Sequence, residues 1–353
     1  MSHFVLGYFA VLIAASCLAA YFGRRPVFML LFVLTLASAL AGLFGGVPAL
    51  RFLTGAAAVL ALAAGISYAF REFLAIVFGG EAERELKNAP LTAIFGLFVI
   101  AVYAIAAVFA PIIAPFGQAE VVSSAFAPAD AHMLLGADQL GRDMFSRIIF
   151  GARNSVGIAL MATLLAFFFG ALGGLIAAVR GGVIDTLIGR IADVIMSVPS
   201  LIFSLLMLSI FGTSIVVIVI VVAVIYSPRV FRLTRAVAGN IVVMDYIEAA
   251  RLRGEGDWYL IRREILPNAT APLVAEFGLE FCFVFLLISG LSFLGLGIQP
   301  PTADWGSMVR ENATLISFGE LTPLIPAAAI ALLTVAVNFV VDWMLWRSSG
   351  LKE

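Results

Sequence analysis

Charge is what this sequence has least of: 12% of its 353 residues are Asp, Glu, Lys or Arg, against 63% hydrophobic, and the mean hydropathy is +1.11. A soluble surface alone needs roughly a quarter charged residues, so a soluble globule is excluded and a bilayer is required. Histidine is scarce too. His3 and His132 cannot make a metal site by themselves, and no Ser, His and Asp set is placed for hydrolysis. No Gly-rich loop ends in Lys-Ser or Lys-Thr, which excludes ATP binding through a phosphate loop. The chain is therefore not expected to be an enzyme or to hold a cofactor or metal of its own. Its net charge of −1 hides Lys and Arg clustered in short loops, and gives no signal for nucleic acid. Cys17 and Cys282 lie inside apolar runs without metal spacing or a disulfide context, and read as small hydrophobes.

What is abundant is apolar runs of helix length. A helix needs about 20 apolar residues to cross the roughly 30 Å hydrocarbon layer, where only helices or closed barrels satisfy their own backbone hydrogen bonds. Runs near 3–22, 27–47 and 52–70 precede a charged stretch at 81–88; six more follow near 92–115, 154–179, 191–212, 215–238, 271–298 and 323–346. The expected fold is an all-α integral membrane protein with about nine spans: an N-terminal hydrophobic extension over 1–80 and a six-helix unit over 88–347. The first run has no basic stretch before it and is followed by Arg24-Arg25, so it is expected to stay as a span rather than be cleaved. In the extension Gly42, Gly45 and Gly46 allow close helix approach, and polar residues occur singly, which suits packing on lipid rather than a solute path.

Basic loops favour the cytoplasmic side. Arg24-Arg25, Arg71 with Arg84 and Lys87, Arg180 with Arg190, the group from Arg229 to Arg263, and Arg347 with Lys352 fall on one side, which places the N-terminus outside and the C-terminus inside. The 116–153 loop, with Arg142, Arg147 and Arg153, must face outward and is an exception to the rule.

One of these loops, Glu248 to Asn268, reads EAARLRGEGDWYLIRREILPN. Gly254 is suited to a left-handed backbone that ends one short helix, and Asp257 to capping the next. Ile247, Ala250, Leu252, Trp258, Ile261 and Ile265 offer an apolar underside, leaving Arg251, Arg253, Glu255, Arg262 and Arg263 for water or a partner. The paired alanines suit close approach of a partner backbone, and Pro267 is expected to set where the next membrane helix begins. An ordinary amphipathic loop on anionic lipid would explain the charges but not the spacing.

Glu248-Ala249-Ala250, Gly254 four residues on and Leu266-Pro267 together resemble the EAA loop by which permease subunits of ATP-binding-cassette importers grip their ATPase. Residues 133–156 (MLLGADQLGRDMFSRIIFGARNSV) and 291–309 (LSFLGLGIQPPTADWGSMV) resemble segments of the dipeptide and oligopeptide permease family, specifically the second of its two paired subunits. One departure is Glu264, where the family often has His or an aliphatic residue. The resemblance implies a type I transmembrane domain with its core near 152–342 and coupling loop at 245–268. It implies Glu248, Ala249, Ala250, Gly254, Asp257, Leu266 and Pro267 as the coupling residues. The implied setting is multi-pass in a bacterial inner membrane, beside a second homologous permease, two ATPase domains that bind the ATP, and a periplasmic substrate-binding protein. Peptide uptake is the first expectation, with a non-peptide solute such as a nickel chelate, or an ion-coupled secondary transporter, as alternatives.

Two further sets stay open. Arg142-Asp143 is either a self-satisfied loop salt bridge or part of an outer gate, and Asp304-Trp305 either a structural turn or a contact for the binding protein. Asp185 and Asp193, with Arg190 as partner, and Asn338 with Asp342 favour helix–helix bonding over substrate contact.

Overall fold

A computed structural model describes residues 48–318 and 322–348, together with a few single positions before 48. The expected spans at 3–22 and 27–47, Cys17 and the glycines of the extension lie outside the described residues. Residues 1–91 and 92–353 form separate compact units. In the first, α1 (Pro48–Phe78) is long and apolar, and α2 (Gly80–Asn88) is a short amphipathic helix whose Lys87 pairs with Glu83 one turn away.

The second unit holds α3 (Leu91–Ile113), α4 (Met144–Arg180), α5 (Gly182–Met196), α6 (Ser200–Phe211), α7 (Ile215–Val242), α8 (Asp245–Leu252), α9 (Asp257–Phe293), α10 (Trp305–Asn312) and α11 (Leu324–Ser348). Six described helices, α1 among them, are long and apolar enough to cross a membrane. The span expected at 191–212 is the exception: it begins earlier, as α5, and meets α6 at an 85° bend. Pro199 lies at that break, and a residue preceding proline resists helical backbone, so Val198 cannot carry α5 onward. Among the described residues the second unit thus holds five helices long and apolar enough to cross a membrane and one bent pair.

Packing is closest between α4 and α7, where Gly170 and Gly174 stand one turn apart. A Cβ on Gly170 would lie 2.5 Å from the carbonyl oxygen of Ser227, and one on Gly174 would lie 2.8 Å from that of Phe231. Small residues at this spacing let two backbones touch, the main source of helix cohesion where lipid is as apolar as the side chains. Pro228 in α7 cannot donate to the carbonyl of Val224, and the Ser227 hydroxyl donates to it instead at 3.2 Å. The core of the unit gathers Met144, Phe281, Phe285, Ile288, Leu291 and Trp305.

Candidate functional site

At one end of the unit the 245–268 segment forms an elbow. α8 stops in a Schellman arrangement: Gly254 has φ +84°, its N–H donates to the Arg251 carbonyl (2.9 Å), and that of Glu255 to the Ala250 carbonyl (3.2 Å). The left-handed glycine expected at this position is present. Ile247, Ala250, Leu260, Ile261 and Ile265 are buried and pack with Leu175 of α4 and Ala238 of α7. Leu252 and Trp258 do not join that underside; they are 83% and 63% exposed. Periodicity assigned them inward, but the turn at Gly254 rotates the chain between the two faces. Ala250 is likewise buried within the chain, so only Ala249 of the alanine pair faces outward.

One further expectation is corrected. Asp257 caps nothing; the N-cap of its helix is Gly256, and the Asp257 carboxylate accepts from Arg180 Nε at 2.7 Å, at the end of α4. Arg251 donates to the carbonyl of Val179 nearby at 3.3 Å, so both halves of the elbow are tied to the same helix end. Pro267 stands in the first turn of the long α-helix Leu266–Phe293, where the sequence places it, although no break in helical backbone precedes that helix. The chain is already helical from Asp257 through a π turn at Leu260–Ile265, and Leu266 and Pro267 follow on, both exposed. The wide turn lies just before a residue with no N–H to give, where an α-helix would be interrupted. Glu248, Leu252, Arg253 and Trp258 are exposed, and Glu248 and Leu252 line a hollow of about 490 Å³ with Val242, Val243, Met244 and Arg251.

Around α10 the candidate residues are buried. Asp304 caps α10 by accepting the Ser307 N–H (2.9 Å) and also accepts the Ser155 hydroxyl (2.7 Å); Trp305 donates its indole N–H to the Ile148 carbonyl (3.0 Å). A π turn at Ala152–Val156 in α4 accompanies the placement of Ser155. Asp304 and Trp305 therefore serve a structural turn and present no side chain to a docking protein. Arg142 does not pair with Asp143. Its Nε donates to Asp138 (2.7 Å) and its Nη2 to Glu311 of α10 (2.8 Å), while Asp143 caps α4 through the Ser146 N–H (2.7 Å). Arg147, buried completely, binds both Asp138 and Glu311. Two of the three arginines that broke the loop-charge rule are thus held in a closed ionic cluster, and only Arg153 is exposed.

Burial pushes the Asp138 carboxyl up, but the Arg142 N–H and the charge of Arg147 outweigh it and hold the group below the usual carboxylate range. Asp304 goes the other way, raised by burial despite its hydrogen bonds. The Asp138 contribution to stability is therefore present above the ordinary carboxylate range and lost as pH falls through its lowered value. That of Asp304 is present in acid and lost as pH rises through its raised value.

Inside the spans, Asp193 pairs with Arg232 (2.5 Å) and Asp185 with Arg235, both from α7 rather than with Arg190. Asn338 donates to the Thr334 carbonyl (2.8 Å) and lies 3.7 Å from Cys282 Sγ, a helix–helix contact. The sequence reading passed over Glu276 and Glu280 in α9, and it assigned Arg229 to a basic loop although that residue lies halfway along α7. Arg229 Nη1 is 3.8 Å from Glu280 Oε1, and its guanidinium lies over the rings of Tyr226 (5.6 Å) and Phe283 (4.9 Å). The i, i+4 spacing of the two acids in an otherwise apolar run was the available signal.

Residues 170–346 match the family described as binding-protein-dependent transport system inner membrane component. The chain is 34% identical over 263 residues to the dipeptide transport system permease protein DppC of Alkalihalophilus pseudofirmus, covering 74% of this chain and 86% of that protein. It is 35% identical over 257 residues to the di/tripeptide transport system permease protein DppC of Pseudomonas aeruginosa, covering 71% and 85%. It is also 35% identical over 218 residues to the glutathione transport system permease protein GsiD of Pectobacterium atrosepticum, covering 61% and 71%.

Proposed function

Because the chain belongs to the binding-protein-dependent transport system inner membrane components, the permeases of ATP-binding-cassette importers, we propose that it admits short peptides and is driven through the elbow at 245–268. It is a multi-pass inner-membrane subunit that works with ATPase and substrate-binding partners. The peptide assignment rests on the relatives named for dipeptides, di/tripeptides and glutathione. A second, homologous permease completes the pore and two ATPase domains sit beneath it.

The observation that carries the coupling role is the two-sidedness of the elbow. Its inner side is packed against α4 and α7, and outside that packing Leu252 and Trp258 are left exposed, as are the charged Glu248 and Arg253. Exposed apolar side chains rimmed by charge suit a protein partner. Glu248, Ala249, Arg253 and Leu252 would meet the ATPase, while Ala250, Gly254, Asp257 and Pro267 shape the lever; Arg142 and Asp143 brace the opposite end.

The test uses membrane vesicles carrying the assembled importer with its binding protein. ATP-dependent uptake of a labelled dipeptide is expected. Gly254→Val should lower it about tenfold at equal membrane abundance, since a β-branched residue at φ +84° strains the elbow by about 1–3 kcal/mol although its Cβ meets nothing within 4 Å. Uptake that persists without ATP would refute the importer reading, and wild-type uptake by the variant would refute the lever.

Residues 1–80 are proposed to be peripheral to transport. A chain starting at Glu81 is expected to keep ATP-dependent uptake, with some loss of abundance. No uptake from a truncated complex that assembles normally would place the extension within the mechanism.

A further inference from the structure

Arg229 is an unusual cation to find inside a span. An ionisable side chain at the centre of a bilayer costs about 2.5–3.5 kcal/mol by insertion scales, so such groups face protein or water. Arg229 has no closed partner within the chain: its side chain is 46% exposed, while Glu280 beside it is 3% exposed. Their closest approach, 3.8 Å, is beyond hydrogen-bond length, and among the described residues the guanidinium makes no hydrogen bond. Glu280 Oε2 is buried and also has no hydrogen-bond partner among the described residues. The pair is therefore unfinished. A planar fork of donors is held in place by a buried acid and two aromatic faces, and its outward side is open. Such a fork matches a carboxylate, which can take two parallel N–H donors. Glu276, one turn before Glu280 and only partly buried, leaves the cluster with one acid more than bases. A solute with separated carboxylate and ammonium groups would meet a complementary group at each end, the guanidinium of Arg229 and the partly exposed carboxyl of Glu276.

We propose that Arg229, Glu280 and Glu276 form a solute-binding site on the translocation path that recognises the charged ends of a zwitterionic peptide. Arg229 takes the carboxylate, Glu276 the ammonium, and Glu280 positions Arg229. The proposal rests on the peptide-importer reading above and adds to it where the solute is held once it has left the binding protein.

The test is equilibrium binding of a radiolabelled tripeptide to the assembled permease–ATPase complex without the binding protein. It compares the free peptide with its C-terminal amide and its N-acetyl form. ATP-dependent uptake by the wild-type importer is established first; its absence refutes the importer reading rather than the site. In the wild type, amidation and acetylation should each weaken binding about tenfold, the effect of losing one charge-assisted contact. In Arg229→Met the free peptide should bind as weakly as the amide, with no further loss on amidation, and in Glu276→Gln acetylation should cost nothing. Arg229→Gln, which keeps a polar group between Tyr226 and Phe283, carries the same comparison if the Met variant does not assemble. An amidation penalty of equal size in the wild type and the Arg229 variants overturns the proposal. So does a wild type that binds no peptide, or shows no penalty while the Arg229 variants fail to assemble; the last result would mean that an acid of the partner permease occupies Arg229 instead.

Discussion

Arg147→Met should destabilise the second unit by about 3–5 kcal/mol, the usual consequence of removing one partner from a buried ionic group. The side chain is fully buried and contacts both Asp138 and Glu311. Without it, two acids share Arg142 alone, and α4 loses its ion pairs to the preceding loop at Asp138 and to α10 at Glu311. Removing the surplus acid as well should restore much of the loss, so Arg147→Met with Glu311→Gln is expected to be more stable than the single variant. Thermal unfolding of the purified complex measures both. A single variant as stable as wild type would show that water or lipid headgroups already share the cluster, and a double variant no better than the single would show that packing rather than charge is at stake.

Gly170→Leu is expected to cost about 3 kcal/mol, at the upper end for overpacking, and to lower folded abundance sharply. What its Cβ would meet is rigid: the Ser227 carbonyl oxygen at 2.5 Å and the Val230 Cβ at 2.7 Å. Neither can turn aside, so α4 and α7 must part along their whole contact. Gly239→Leu, also in α7, is the control, because nothing lies within 4 Å of its Cβ. Fluorescence-detected size exclusion of the two variants in detergent compares them directly. Equal recovery of both would mean that the α4–α7 contact does not limit folding.

The elbow shows where sequence reasoning held and where it failed. Gly254 was legible because a left-handed backbone has few other occupants. Asp257 was misread because its type and position suit an N-cap, yet a carboxylate near Arg180, a residue 77 positions away in sequence, pairs with it instead. The same holds for Arg142. Its neighbour Asp143 was the obvious partner, but consecutive residues at a helix start point apart, and Asp138 and Glu311 were the ones within reach.

The sequence alone determined the membrane setting, the helical class, nearly all the spans described and the family, since hydropathy, run length and motif spacing are local properties that survive without coordinates. Only the tertiary structure decided which charges are spent and which remain available. Pairing depends on distances between residues brought together from different helices, so Arg147 became a sealed brace, Arg232 and Arg235 became ties to α5, and Arg229 was left with an open face. The bend at Pro199 belongs to the same class: residues 191–212 read as one apolar span in the sequence, and the 85° turn between α5 and α6 is seen only in the structure.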